Sequence, residues 1–600
     1  MVASSPYSPG RFSPFPSRRS VVHSTKGIVS TISPLANEAG LQILRQGGNA
    51  ADAAIAAAAV LNLVDPSMTG IGGDAFALFY EAKTKKVHAL NGSGRSAAAA
   101  TLDDVVRDLG ITDLVHGSIP NTSALSVTVP GAAAAWVDVV EKFGSGKVTL
   151  GEVLAPAIGL AEGGGAVGEV AAFYWAATEA ELLSKPNGVE LLKKDSKAER
   201  GYRAPRAGEL YGNPLLAETF RRLAEHGKRG FYEGPVAEAV IEVVRSLGGY
   251  LTLDDLKSHG EMGSEITEPV SLRLWQLADE EHQEIDLWEH PPNGQGIVAL
   301  MALGILQAFE RDGKIRRYGS RDHNSIEYLH ALIEALKIAF SDGSWFITDP
   351  HSSEPVTTQS LISDEYLSSR AKLFSPSTVT TDLTPGSPAH KTSDTVYLAV
   401  TDPEGNACSF VNSVADTFGS RIVPAGTGFV LQNRGAGFHL NPAHPNAYAP
   451  NKRPYNTIIP AMVTNASDGS LNTVLGVMGG AMQPQGHVQV LLNMVMFGMN
   501  PQEALDAPRV CIGVALPGKS TDPGKKVDRT VYVEEGIAEK TVRGLEGMGH
   551  EVKRVEDWNR ALFGRGQVIR VKTGEVEGVK ERVYSAGSDG RGDGAAVAMI

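Results

Sequence analysis

Apolar and polar positions alternate most clearly between residues 395 and 413. Two β-branched and aromatic runs, 395–400 and 407–411, flank the turn Thr401-Asp402-Pro403-Glu404-Gly405-Asn406. The pattern predicts a β-hairpin with Thr395 at the head of its first strand. Toward the N-terminus a strand is expected over 27–32 and a helix over 34–46, ended by Gly47-Gly48, a pair free to adopt positive φ. An Ala-rich helix over 50–64 follows, then a hairpin of strands 75–80 and 86–91. Apolar spacings of three and four make 101–260 mainly helical, with helices at 132–143, 150–162, 215–227 and 235–247. Strand character returns at 267–274 and 284–288, before helices at 297–311 and 325–341. Beyond the 395–411 hairpin, strands are expected at 428–432, 460–464 and 472–477, then a helix at 487–497. The tail predicts strands at 530–533, 551–555, 567–571 and 582–587 around a helix at 537–548. Strands and helices mixed in this way indicate α/β or α+β.

Composition narrows the function classes. A 600-residue chain with 42% hydrophobic residues supports an ample core, and its length alone favours several domains. A net charge of -13 without a basic run argues against nucleic acid as a partner. Cys408 and Cys511 are too few for a disulfide framework and lack metal-ligand spacing, which favours a reducing compartment. The most apolar stretch, 50–64, holds Asp52 and Asn62 and is shorter than a bilayer-crossing helix, so no membrane partner is expected. Residues 1–26 are rich in Ser, Pro and Arg and lack a secretory apolar run. They read as a disordered extension, and the location as cytoplasmic. An acid-poor start also suits a transit peptide, although Pro6, Pro9, Pro14 and Pro16 oppose the amphipathic helix that such a peptide forms.

Several motifs are set aside on position. Gly70-Ile71-Gly72-Gly73-Asp74 precedes a strand, whereas a dinucleotide loop lies between a strand and a helix. His439 and His444 stand in a Pro/Asn-rich loop without a second ligand pair, so no metal is expected. No Gly-Xaa-Ser-Xaa-Gly elbow occurs, and no cofactor is required.

Thr395 is the residue with a chemical reading. A threonine hydroxyl is a weak nucleophile unless a base is held beside it. Cleavage of the chain just before the threonine supplies one, the new α-amine, which titrates at about 7.7–8 when unperturbed. The Thr-, Pro- and Ser-rich stretch 378–392 suits a connector that is cut and moves aside.

Six blocks occur in the order of the γ-glutamyltransferase (γ-glutamyltranspeptidase) family. They are Gly47-Gly48-Asn49-Ala50-Ala51-Asp52-Ala53, Thr69-Gly70-Ile71-Gly72-Gly73-Asp74, Val129-Pro130-Gly131, Pro291-Pro292-Asn293-Gly294-Gln295-Gly296, Asn451-Lys452-Arg453-Pro454 and Gly479-Gly480. With the run from Thr395 to Ala407, which resembles the start of the family's small subunit, they cover about residues 27–510. The resemblance implies an α+β fold, the four-layer αββα sandwich of N-terminal-nucleophile hydrolases. It also implies self-cleavage between Asp394 and Thr395 into a large subunit, 27–394, and a small one, 395–600, that remain together. By the same resemblance Thr395 attacks the substrate amide, Ser413 supports its amine, and Gly479 and Gly480 form the oxyanion hole. Arg95 matches a carboxylate-binding arginine, and Asn456 and Thr457 stand where the family has a substrate-contacting Ser-Ser pair.

Departures bear on the substrate. Where the family's transferases carry an Asn-Gln-Xaa-Asp-Asp run whose acid binds the α-amino group, this chain has Asn433-Arg434-Gly435-Ala436-Gly437. Ala415 replaces a polar residue. Arg95 and Arg434 without a nearby acid favour an acyl group that bears a carboxylate and lacks an α-ammonium, such as a glutaryl-like chain. A carboxylate arriving from elsewhere, Asp74 or Asp416, would undo that inference. The expected activity is hydrolysis, with or without transfer, of a γ-glutamyl- or glutaryl-like acyl group from a small-molecule amide, through an acyl-enzyme on Thr395. A strict glutathione hydrolase/γ-glutamyltransferase and an unprocessed inactive scaffold are the alternatives.

Overall fold

A computed structural model of the chain describes residues 19–275, 284–352, 357–381, 394–513, 530–576 and 579–600. Most of the expected extension (1–18) and of the connector (382–392) lies outside them. Among the described residues, two seven-stranded sheets pack face to face. One runs β1 (Val22–Ser24), β13 (Val579–Ser588), β12 (Arg565–Val576), β11 (Leu471–Met478), β10 (Ala461–Asn465), β7 (Glu284–Glu289), β6 (Val270–Trp275). The other runs β14 (Ala595–Ala598), β2 (Ile28–Thr31), β8 (Asp394–Thr401), β9 (Ala407–Ala415), β3 (Asp74–Glu81), β4 (Lys86–Gly92), β5 (Glu265–Thr267). Every pairing within these sheets is antiparallel. Hydrogen bonds cross between them, Ser30 Oγ donating to Gln567 Oε1 at 2.7 Å and Ala461 N to Ser409 Oγ at 3.1 Å.

Helices cover both outer faces. On one side lie α1 (Pro34–Arg45), α2 (Ala50–Val64) and α3 (Ala132–Phe143), and on the other α4 (Gly296–Arg311), α5 (Ile326–Phe346) and α6 (Met482–Val495). The result is the expected αββα sandwich. Helix α2 is buried along its whole length, which its small alanines permit. Asn49 and Asp52 close a capping box at its start, and Asp402, in the hairpin turn, accepts the Ala50 N–H at 3.0 Å.

The structure departs from the sequence pattern in places. Residues 428–432 form no strand: the Gln432 N–H goes to Gly72 O and that of Leu431 to Ile422 O, so the apolar run fills an irregular segment. Helix α6 begins at Met482, five residues before the expected start, because Pro484 falls in its first turn, where a missing N–H costs nothing. Val22–Ser24, within the expected extension, pair with β13, and Ala595–Ala598 form an edge strand beside β2 that the alternation did not announce. No helix among the described residues is long and apolar enough to cross a membrane.

Candidate active site

Thr395 lies one residue into β8, fully buried. Between the pairs Asp394↔Ala415 and Val396↔Asn412, one residue of β8 faces two of β9, a β-bulge that sets Ser413 and Val414 opposite Thr395. Thr395 Oγ1 donates to Ser413 Oγ at 3.2 Å and accepts from Gln483 Nε2 at 3.3 Å. Just past the bulge Ala415 has φ +80°, and its N–H donates to Ser413 Oγ at 2.9 Å. Gly73 lies against this turn: a Cβ there would stand 2.2 Å from the Ser413 carbonyl oxygen.

The Arg434 guanidinium completes the wall beside Ser413. It donates to Ser413 Oγ at 3.2 Å and to Thr457 Oγ1 at 2.8 Å, while Nε makes no hydrogen bond among the described residues. Nε is 3.9 Å from Asp74 Oδ2. Asp74 is the acid whose arrival would undo the sequence argument, so the surroundings of Arg434 are not acid-free. Its Oδ1 accepts the N–H groups of Gly94 (3.0 Å) and Gly131 (3.3 Å), and its Oδ2 accepts Asn456 Nδ2 (3.2 Å). Burial pushes the Asp74 carboxyl up to about 6 against the pull of Arg434, and burial lowers Arg434 to about 10 against the pull of Asp74. Asp416, the other acid considered, is engaged with Asn121 Nδ2 and Arg421.

Gly479 and Gly480 follow β11 with φ of +127° and +58°. Their carbonyls accept the N–H groups of Met482 and Gln483, and Gln295 Nε2 donates to Gly480 O at 2.8 Å. Among the described residues no acceptor takes the N–H of either glycine. Thus the turn carries two N–H donors and also supplies Gln483, which touches Thr395.

Thr395, Ser413, Arg434 and Thr457 form one hydrogen-bonded chain, with the glycine turn joined to it through Gln483. Asn456 is turned away, its amide on Asp74 and its Oδ1 accepting from Ile458 N. Arg95 donates to Asp349 Oδ2 at 3.1 Å and to Asn451 O at 3.4 Å. Its neighbour Gly94 donates to Asp74, which in turn lies beside Arg434. Sequence reasoning missed Gln483, although it stands three residues past Gly480. Asp349 carried no signal, being one acid among many. A buried group of His330, Glu334 and His550 also went unseen, since its members lie far apart in the chain. Lys337 donates to Glu334 at 3.0 Å and lies 3.2 Å from His550 Nδ1, supplying the positive charge that this carboxylate requires.

The sequence profile of the Gamma-glutamyltranspeptidase family matches residues 36–599. The Glutathione hydrolase-like YwrD proenzyme of Bacillus subtilis (strain 168) is 33% identical over 577 residues, 96% of this chain and 99% of that protein. The Oxamate amidohydrolase proenzyme of Klebsiella pneumoniae subsp. pneumoniae is 32% identical over 562 residues, 93% of this chain and 97% of that protein. Among solved structures, the cephalosporin acylase from Bacillus halodurans superposes with a TM-score of 0.82 at 38% identity, covering 99% of both chains. Matched along nearly its whole length in both sequence and sandwich fold, the chain belongs to the gamma-glutamyltranspeptidase family of amide-cleaving enzymes.

Proposed function

We propose that the chain is a self-processing amidohydrolase with Thr395 as nucleophile, acting on amides whose acyl group carries a carboxylate. The observation that carries this reading is the buried Thr395 hydroxyl, held between Ser413 and Gln483 at the bulge of β9. In the precursor Thr395 Oγ attacks the carbonyl carbon of Asp394, the C–N bond breaks, and the acyl group moves from nitrogen to oxygen. The shift frees the Thr395 α-amine, and water then hydrolyses the ester, releasing the Asp394 carboxylate and the Thr395 hydroxyl.

In the mature enzyme that amine takes the hydroxyl proton as Oγ adds to the substrate carbonyl. The oxyanion so formed needs donors fixed in advance, and the N–H groups of Gly479 and Gly480 are open for that task. Collapse expels the amine, which leaves with the proton held by the α-amine. Water then adds to the acyl ester, its proton passes to the α-amine, and the acid departs as Oγ regains a proton. Arg434, beside Ser413, binds the acyl carboxylate through its planar fork. The oxamate of one relative's name has a carboxylate next to its amide carbonyl, in keeping with this reading. The proenzyme names of both curated relatives agree with processing.

The test is denaturing mass spectrometry of the purified protein beside Thr395→Ala. We expect a fragment that begins at Thr395 in the wild type, and an intact chain with amidase activity down at least a thousandfold in the variant. A variant cut at the same bond and fully active would end the proposal.

A further inference from the structure

The positions of the two arginines bear on acyl length, a question that rests on Thr395 being the nucleophile. Arg434 and Thr395 donate to the same acceptor, Ser413 Oγ, each at 3.2 Å, so the cation stands two hydrogen bonds from the attacking oxygen. The Arg434 side chain is only 4% exposed, and its Nε, 3.9 Å from Asp74 Oδ2, makes no hydrogen bond among the described residues. A buried cation whose fork is incompletely used favours an anionic ligand. A carboxylate bound there while a carbonyl sits at attack distance from Oγ, about 3–3.5 Å, lies near that carbonyl in space, a separation that a short acyl chain spans without folding back.

Arg95 is placed differently. Its guanidinium donates directly to its counter-ion, Asp349, at 3.1 Å, where Arg434 and Asp74 stay 3.9 Å apart; the Asp349 side chain is 3% exposed and also accepts the Arg453 N–H at 2.8 Å and the His351 N–H at 3.1 Å. Three donors, Arg95 Nη1 among them, hold this carboxylate against the Arg95 guanidinium. An α-ammonium fares no better beside Arg434. The nearby carboxylate, Asp74, already accepts from Gly94, Gly131 and Asn456.

We propose that Asp349 is a specificity-determining residue: by occupying Arg95 it leaves Arg434 as the carboxylate anchor and restricts the enzyme to monoamides of short dicarboxylic acids, whose carboxylate adjoins the scissile carbonyl or lies one methylene away. The preferred acyl group is then shorter than the glutaryl chain suggested by the sequence, and γ-glutamyl amides are poor substrates.

The test measures kcat/KM on the oxalyl, malonyl, succinyl and glutaryl monoamides and on glutamine, by ammonia release and again as 4-nitroanilides. The wild type is expected to prefer oxalyl or malonyl over glutaryl at least tenfold. Asp349→Asn, which keeps the side chain's size, should raise the glutaryl-to-oxalyl ratio at least tenfold by freeing Arg95. Adding Arg95→Met should abolish that gain, a reversal that general loosening of the fold would not produce. As a check needing no variant, oxalate or malonate should inhibit the wild type competitively at concentrations at least tenfold below glutarate. A wild type that prefers glutaryl or γ-glutamyl substrates, or an unchanged ratio in Asp349→Asn, overturns the proposal while leaving the Thr395 nucleophile standing. A cut protein that turns over none of these amides overturns it too, whereas failure of the nucleophile reading shows separately, as a fully active Thr395→Ala.

Discussion

At the scale of single residues, Asp74 couples the site to pH. Its folded pKa is raised to about 6 by burial, so its protonated form is the one that folding favours. Such a group contributes stability fully below its unfolded pKa, and that contribution is lost as pH rises through the folded value. Wild type should therefore lose stability relative to Asp74→Asn between pH 4 and pH 7. Two pKa units correspond to roughly 3 kcal/mol, read as the difference between the two proteins' denaturant unfolding curves across that range. A constant difference would show that Asp74 does not titrate there. Gly73 makes a steric prediction. In Gly73→Ala the Cβ meets the Ser413 carbonyl oxygen, a backbone atom that cannot swing aside, so β9 must shift. We expect a loss of about 3 kcal/mol and slower appearance of the Thr395 fragment, measured by melting and by the time course of processing. Residue types were partly legible beforehand. Thr395, Ser413 and the glycine pair announce themselves by local order and resemblance, whereas Asp349 acquires meaning only once folding sets it against Arg95.

At the scale of elements, the hairpin was readable because strand alternation is local, but the bulge was not. Nothing in the run from Ala407 to Ala415 marks the point where two residues must face one, and that offset aims Ser413 at Thr395. Helix α6 shows the converse: a proline discourages a helix on paper, yet in the first turn it removes no bond. The three-stranded sheet of Val510–Ile512, Val531–Glu534 and Val552–Val555 is tied to the C-terminal loop by a buried ion network. Glu534, fully buried, accepts from Arg591 at 2.5 and 2.8 Å, from Arg560 at 2.7 Å and from the Arg509 N–H at 2.9 Å. Burial pushes its carboxyl up, but Arg591 and the other arginines outweigh this and hold it below the usual range. Its stabilisation is thus present above the usual glutamate range and is lost as pH falls through the depressed folded value. Glu534→Gln leaves buried guanidinium charge uncompensated and should cost about 3–5 kcal/mol, measured by denaturant titration near neutral pH. A change under 1 kcal/mol would mean that the arginines find other acceptors.

At the scale of the whole molecule, strands from either side of the proposed cut interleave. In the sheet that carries Thr395, β2 lies between β14 and β8, and β9 beside β3, so segments from before and after Asp394 interleave. Each fragment alone would expose unpaired strand edges and a bare apolar face. The cleaved pair should elute as one species on size exclusion and separate only in denaturant, and fragments that part in plain buffer would contradict this topology. What the sequence determined by itself was what depends on neighbours along the chain: the alternating strands, the capped and apolar helices, the hairpin headed by Thr395, and the ordered blocks that mark the family. Only the tertiary structure decided which charges meet. Arg434 faces Asp74, Arg95 faces Asp349, and Gln483 reaches Thr395, pairs separated by 88 to 360 positions. The physical reason is range: backbone preference acts over a few residues, whereas desolvation and charge pairing act between groups that only the packed sandwich brings together.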